Sequence, residues 1–221
     1  VSGRSLKLIG IDLDGTLEDS RLDMVAAAQR VRVGLNLPAR NDAALRPHVN
    51  GGMDALYRAC FDDYLAHAEP SRYARVRSAY EADYFANVAN ETRLYPGIFA
   101  ALQELAELGT LACVTNKPER ISRRLLEALG VAQLFGAVIG GDTGPHSKPH
   151  PSMLQAAAER CNFEPGRGQA FMIGDTNADI QLGRAFGARC VWCAWGYADS
   201  ISESPDFRAE QPSELARIIA A

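Results

Sequence analysis

The chain has 221 residues, is 47% hydrophobic and 23% charged, and carries a formal net charge of −4. That length and balance suit a globular protein with a sizeable core, and the negative charge argues against a nucleic-acid partner held by phosphate neutralisation. No run approaches the ~20 apolar residues of a membrane span, and the N-terminus carries no signal-peptide-like apolar segment, so no membrane partner is expected.

LKLIGID, residues 6–12, reads as a short buried strand. Asp12 and Asp14 stand at its end, followed at once by Gly15 and Thr16. From about Ser20 to Asn90 the texture changes. Apolar residues recur at helical spacing: Leu22, Val25 and Ala26, then Leu56, Ala59, Cys60 and Tyr64, then Tyr73, Val76, Tyr80, Tyr84 and Val88. Breaks fall at NLPARND, near VNGG and at AEPS, so this block reads as three to four bundled helices.

From Leu94 strands and helices alternate. Pro96 opens a helix that Gly109 closes, TLACVT is a strand, and Pro118 opens a helix ending at Gly130. AVIG is a short strand, residues 151–161 are helical, and QAFMIG is a strand. Residues 178–187 are helical, RCVWCAW is a strand, and a last helix starts near Ser213. Such alternation implies a parallel sheet wrapped by helices. The expected fold is α/β: a Rossmann-like core from residues 1–17 and 95–221, with an inserted helical domain at 18–94.

Five scattered cysteines make no disulfide framework and point to a reducing, cytoplasmic setting. Cys190 and Cys193 form a CxxC, but within a strand residues three apart face opposite ways, and no second CxxC completes a zinc site. The four histidines show no ligand spacing, and Arg72, Arg75 and Arg77 read as a solvated helix face. No Walker-type or GxGxxG loop is present.

The informative polar residues sit at strand ends. The first strand ends in Asp12 and Asp14, the second in Thr115-Asn116-Lys117. The loop GGDTGPHSKPHP after the third holds Lys148, one of only three lysines, and the fourth ends in GDTNAD with Asp175 and Asp179. In open parallel sheets ligands bind outside the carboxyl ends of the strands, so these groups converge on one rim. Carboxylates this close repel one another unless a cation is present. Hard oxygen ligands suit Mg²⁺, and with Lys148 such a site can hold phosphate. A carboxylate nucleophile is then available, and a second Asp two residues on can serve as acid and base. The bland readings are a surface turn for Asp12 and Asp14, a helix cap for Thr115-Asn116, and a first-turn helix acid for Asp179.

DLDGTL, VTN, SKPHP and GDTNAD, in this order and spacing, resemble the haloacid dehalogenase superfamily over essentially the whole chain. The stretch YPGIFAALQELAELG with TNKPERISRRLLEALG resembles its phosphoglycolate phosphatase branch, and the helical block resembles the family's cap domain. The resemblance implies a Mg²⁺-dependent phosphatase acting through an aspartyl-phosphate. Asp12 would be the nucleophile and a metal ligand, Asp14 the acid/base and a metal ligand through its carbonyl, and Asp175 the third protein ligand. Lys148 would neutralise charge, Thr115 and Asn116 would contact the phosphoryl group, and Gly15 and Thr16 would offer it backbone N–H groups. Asp179 would orient the metal's waters or Lys148. Arg46, in LRPHVNGGMDAL, would pair with a substrate carboxylate.

Two positions depart from the family's pattern: Asn50 replaces an expected glycine, and Glu18 stands where an apolar residue is usual. A dehalogenase would not need Asp14, and a phosphonate hydrolase would need a cap lysine, which residues 18–95 lack. A β-phosphoglucomutase-like transferase keeps the same core, so that alternative stays open, as does a non-catalytic binder of a phosphorylated metabolite or protein. The expected partner is a small phosphorylated metabolite, with the chain a monomer or homodimer.

Overall fold

The computed structural model describes residues 7–66 and 70–221, apart from the side chains of 49–52. His67 and the Asn50 side chain thus lie outside the described part. The chain divides into two compact units, one of Val1–Asp19 with Leu94–Ala221 and the other of Ser20–Arg93.

In chain order, β1 (Lys7–Ile11) and the short β2 (Glu18–Asp19) come first. Helices α1 (Arg21–Gly34), α2 (Asp42–Leu45), α3 (Gly52–Cys60), α4 (Asp62–Leu65) and α5 (Pro70–Ala86) make up the second unit. β3 (Arg93–Leu94) pairs with β2 in a separate two-stranded sheet. Then follow α6 (Ile98–Leu108), β4 (Thr110–Val114), α7 (Glu119–Ala128), β5 (Phe135–Ile139) and α8 (Ser152–Arg160). β6 (Gln169–Gly174), α9 (Asn177–Phe186), β7 (Arg189–Cys193), β8 (Phe207–Ala209) and α10 (Leu215–Ala220) complete the chain.

Six strands form one parallel sheet in the order β5-β4-β1-β6-β7-β8. β1 is central: Ile9 pairs with Leu111 on one side and Phe171 on the other, and Leu8, Ile9 and Ile11 are fully buried. A strand covered on both faces must be apolar throughout, which is why KLIGI carries no alternation. One face packs Leu8, Val114 and Met172 under Leu154 and Ala157 of α8 and Leu182 of α9. From β1 the chain steps to β4 and β5, then returns to the other side of β1 as β6. The order reverses at β1, and that is where such sheets open a crevice at their carboxyl ends.

The expected alternation from Leu94 is present, with element ends shifted by at most two residues. β8 was not expected: only three residues long and at the sheet edge, it has no period to read. Cys190 and Cys193 are free and buried on β7, where Cys190 Sγ donates to the Ile180 carbonyl.

The helical unit has more pieces than expected, because α2 and α4 are single turns. Asn41 starts α2 by accepting from the Ala43 N–H at 2.9 Å. Val76, Tyr80 and Tyr84 of α5 are buried, and the Tyr80 hydroxyl donates to the Met24 carbonyl of α1 at 3.0 Å. Leu22, placed by its spacing on an apolar face, is 46% exposed. Arg32 is fully buried, where it donates to the carbonyls of Pro38 and Cys60 and pairs with Asp63 at 2.6 Å, while Val33 beside it is exposed. Among the described residues no helix is long and apolar enough to cross a membrane.

Candidate active site

The β1 ladder runs one step past the strand: the Asp12 N–H donates to the Ile173 carbonyl at 2.9 Å. Thr115 extends β4 in the same way, donating to Ile139. Asp175 follows β6 directly. Three neighbouring strand ends therefore present their next side chains on one rim.

Lys148 reaches that rim from the loop after β5. Its N–H donates to Asn116 Oδ1 at 2.8 Å, which ties the loop to the end of β4. Its ammonium lies 2.6 Å from Asp12 Oδ1 and 2.8 Å from Asp179 Oδ1. Burial works against the Lys148 charge, but Asp12 and Asp179 outweigh it and hold its pKa above the usual lysine value. Asp179 is anchored at the start of α9, where its other oxygen accepts from the Thr176 N–H and hydroxyl. The Asp179 carboxylate thus spans a helix cap and the lysine.

Asp175 is fully buried. It accepts from the Tyr197 N–H at 2.7 Å and from the Thr16 hydroxyl at 3.2 Å. Burial, reinforced by Asp179, still raises its pKa from 3.8 to about 6. Burial and then Asp179 push Asp12 well above the usual carboxylate range, against the pull of Lys148. Oxygens of Asp12, Asp175 and Asp179 all lie within 4.8 Å of one another. Oxygens sharing an octahedral Mg²⁺ stand about 3 Å or 4 Å apart. Three buried carboxylates facing a single lysine are a donor set that fits a divalent cation.

Asp14 stands apart from this cluster. Its carboxylate is 20% exposed and lies 2.5 Å from Lys117 Nζ, and Lys117 in turn faces Glu18 Oε1 at 3.9 Å. Gly15 holds a left-handed φ of +82°, and a Cβ there would stand 2.5 Å from Asp175 Oδ2. Only glycine combines that backbone with that clearance. The Gly15 N–H donates to Glu18 O at 2.9 Å and the Thr16 N–H to Leu13 O at 3.3 Å, so both amides are committed to the turn. What these two residues give the site is space for Asp175 and a hydroxyl on it. Thr115 is buried, and its hydroxyl accepts from the Lys117 N–H at 3.2 Å. Arg46 lies in the other unit, exposed at the head of a 3₁₀ segment, Arg46–Gly51.

Sequence reasoning missed the end of β7 and the segment after it. Trp192 Nε1 donates to the Asp175 carbonyl and Trp195 Nε1 to the Thr16 carbonyl, each at 3.0 Å. Tyr197 supplies the amide that binds Asp175, and its hydroxyl donates to Asp19 at 3.3 Å. A Cβ at Gly196 would collide with the Asp175 side chain at 2.2 Å. The legible signal was Gly196-Tyr197 just past a buried strand, a close backbone approach at the active rim. Lys117 was visible as a scarce lysine, but nothing in the pattern pointed it at Asp14.

Comparison with known proteins agrees with this geometry. The haloacid dehalogenase-like hydrolase family model matches residues 9–193. A phosphoglycolate phosphatase of Nitrosococcus oceani is 34% identical over 211 residues, covering 95% of this chain and 91% of that protein. One from Aquifex aeolicus is 32% identical over 215 residues and covers 97% of each. The crystal structure of a predicted phosphoglycolate phosphatase from Haemophilus somnus superposes with a TM-score of 0.81 at 26% identity, covering 99% of both chains. The chain belongs to the haloacid dehalogenase-like hydrolases and, within them, is a phosphoric monoester hydrolase of the phosphoglycolate-phosphatase-like kind.

Proposed function

We propose that this enzyme hydrolyses a small phosphate monoester, with 2-phosphoglycolate the leading substrate, through a phosphorylated Asp12. The observation that carries the proposal is the buried Asp12 carboxylate, held 2.6 Å from Lys148 beside Asp175 and Asp179. The names of the relatives support the substrate.

Asp12 attacks phosphorus, the ester P–O bond breaks, and Asp14 gives its proton to the leaving oxygen. Water then attacks the phosphoryl group, Asp14 takes the water's proton, and the Asp12–phosphorus bond breaks. Lys148 balances charge on Asp12 and the phosphoryl oxygens, and Asp179 aims it. The Thr115 hydroxyl, accepting from Lys117, keeps its own proton to donate to phosphate. Asn116 spends its carbonyl oxygen on Lys148, leaving its amide N–H groups as donors. Asp12 and Asp175, with the Asp14 carbonyl, would hold Mg²⁺, which supplies electrostatic stabilisation of the charge on the transferring group. The helical unit is read as the cap that selects the substrate, with Arg46 for its carboxylate.

The test is phosphate release from a panel of small esters, with and without Mg²⁺, for wild type and Asp12→Asn. Mg²⁺-dependent turnover led by 2-phosphoglycolate and lost in the variant is expected. No turnover of any ester would sink the reading, and isomerisation of glucose 1-phosphates faster than their hydrolysis would make the enzyme a mutase.

A further inference from the structure

Glu18 lies next to the segment that carries Asp12 and Asp14, and the structure puts it at a charge contact. Its side chain is fully buried and faces Lys117 Nζ at 3.9 Å, while Lys117, itself 1% exposed, lies 2.5 Å from Asp14. We propose that Glu18 is a positioning residue for Asp14, acting through Lys117. The proposal rests on the acid/base role given to Asp14 above.

The three groups are not equally fixed. Lys117 is pinned through its backbone: its N–H donates to the Thr115 hydroxyl, and its carbonyl accepts from the Gly141 N–H at 3.1 Å. Glu18 is pinned in β2, where its carbonyl accepts from Gly15 and its backbone bridges Asp14. Asp14 is the member with solvent access, and so the one whose carboxylate can turn. At 2.5 Å its Oδ1 is engaged with the ammonium, and reaching a substrate oxygen means leaving it. A buried ammonium abandoned by its anion is costly. Glu18 removes that cost, because a second carboxylate stays beside Lys117 when Asp14 swings away. At 3.9 Å it is too far to hydrogen-bond, so it compensates the charge without displacing Asp14. An apolar residue at this position would leave the ammonium gripping Asp14 harder.

Steady-state kinetics of the Mg²⁺-supplemented enzyme test this with Glu18→Gln, Glu18→Val, Lys117→Met and the Glu18→Gln/Lys117→Met double variant, each also followed by thermal unfolding. Glu18→Gln is expected to lower kcat by roughly 10- to 100-fold, the scale of a misplaced reacting group, with KM little changed. On the Lys117→Met background the same change should alter kcat by less than about two-fold, since the residue acts through the lysine. Glu18→Val fills the space with apolar atoms, so its melting temperature should stay near wild type while kcat stays low. Wild-type kcat in either Glu18 variant, an equal loss on both backgrounds, or a loss confined to KM overturns the proposal. A wild-type enzyme that turns over no ester overturns the function as well, which separates the two failures.

Discussion

The carboxylate cluster makes a quantitative prediction for the protein stripped of divalent metal. Asp175 in the fold has its pKa raised from 3.8 to about 6, by burial first and Asp179 second. A carboxyl that is harder to ionise folded than unfolded costs the fold nothing below its unfolded pKa, and the penalty grows from there to its full size once pH exceeds its folded pKa. At ~1.4 kcal/mol per pK unit, the cost near pH 7.5 is of order 3 kcal/mol. Asp175→Asn removes the charge but keeps the shape. Its amide nitrogen would meet either the Tyr197 N–H or the Thr16 hydroxyl, which returns about 1 kcal/mol. The net gain of about 2 kcal/mol corresponds to a melting temperature roughly 4–8 °C higher for a chain of this size. Thermal unfolding in chelator from pH 4.5 to 8 checks this. The variant should gain most above pH 7 and almost nothing below pH 5, and Mg²⁺ should stabilise wild type far more than the variant. A variant no more stable than wild type at pH 7.5, or one equally stabilised at pH 5, refutes the reasoning.

Lys148→Met removes the cation between Asp12 and Asp179, and a loss of kcat of about 10²- to 10³-fold is expected, read by steady-state phosphate release. In the helical unit, buried Asp23 accepts from the N–H groups of Glu91 and Thr92 and from the Thr92 hydroxyl. Asp23→Ala leaves those donors unpaired and should cost about 3 kcal/mol in urea unfolding, whereas a value within about 0.5 kcal/mol of wild type would show that water replaces the carboxylate.

How much of this was legible follows from which contacts have a local signature. Asp12, Thr115 and Asp175 could be read because each stands just past a buried strand, and parallel strands deliver their ends to one rim whatever the loops do; Asp179 could be read because it lies in the first turn of the helix that follows one. Lys148 could be read because so scarce a residue sits in a Pro-rich loop at that rim. Lys117 on Asp14 and Tyr197 on Asp175 could not, since their register depends on how two loops distant in sequence settle. Arg32 shows the same limit in the helical unit. Hydrophobic spacing would turn Val33 inward, but a guanidinium that finds the Cys60 and Pro38 carbonyls and Asp63 is better satisfied inside.

Distances at the rim sort five carboxylates into two charge systems. Asp12, Asp175 and Asp179 surround Lys148, three negative charges to one positive, and Asp14 and Glu18 face Lys117, two to one. The first system is short by two positive charges, so a divalent cation brings it to neutrality where a monovalent one does not. The second is short by one and is held to a different lysine. Asp14 is its only member with solvent access, so it is the member that can meet a substrate oxygen without a buried group moving. That exposure fits the acid/base role proposed for Asp14, as the charge deficit around Lys148 fits a divalent ion at Asp12. Division between two lysines keeps the two charge systems apart. If all five acids shared one cluster, a change of charge at Asp14 would act directly on Asp12.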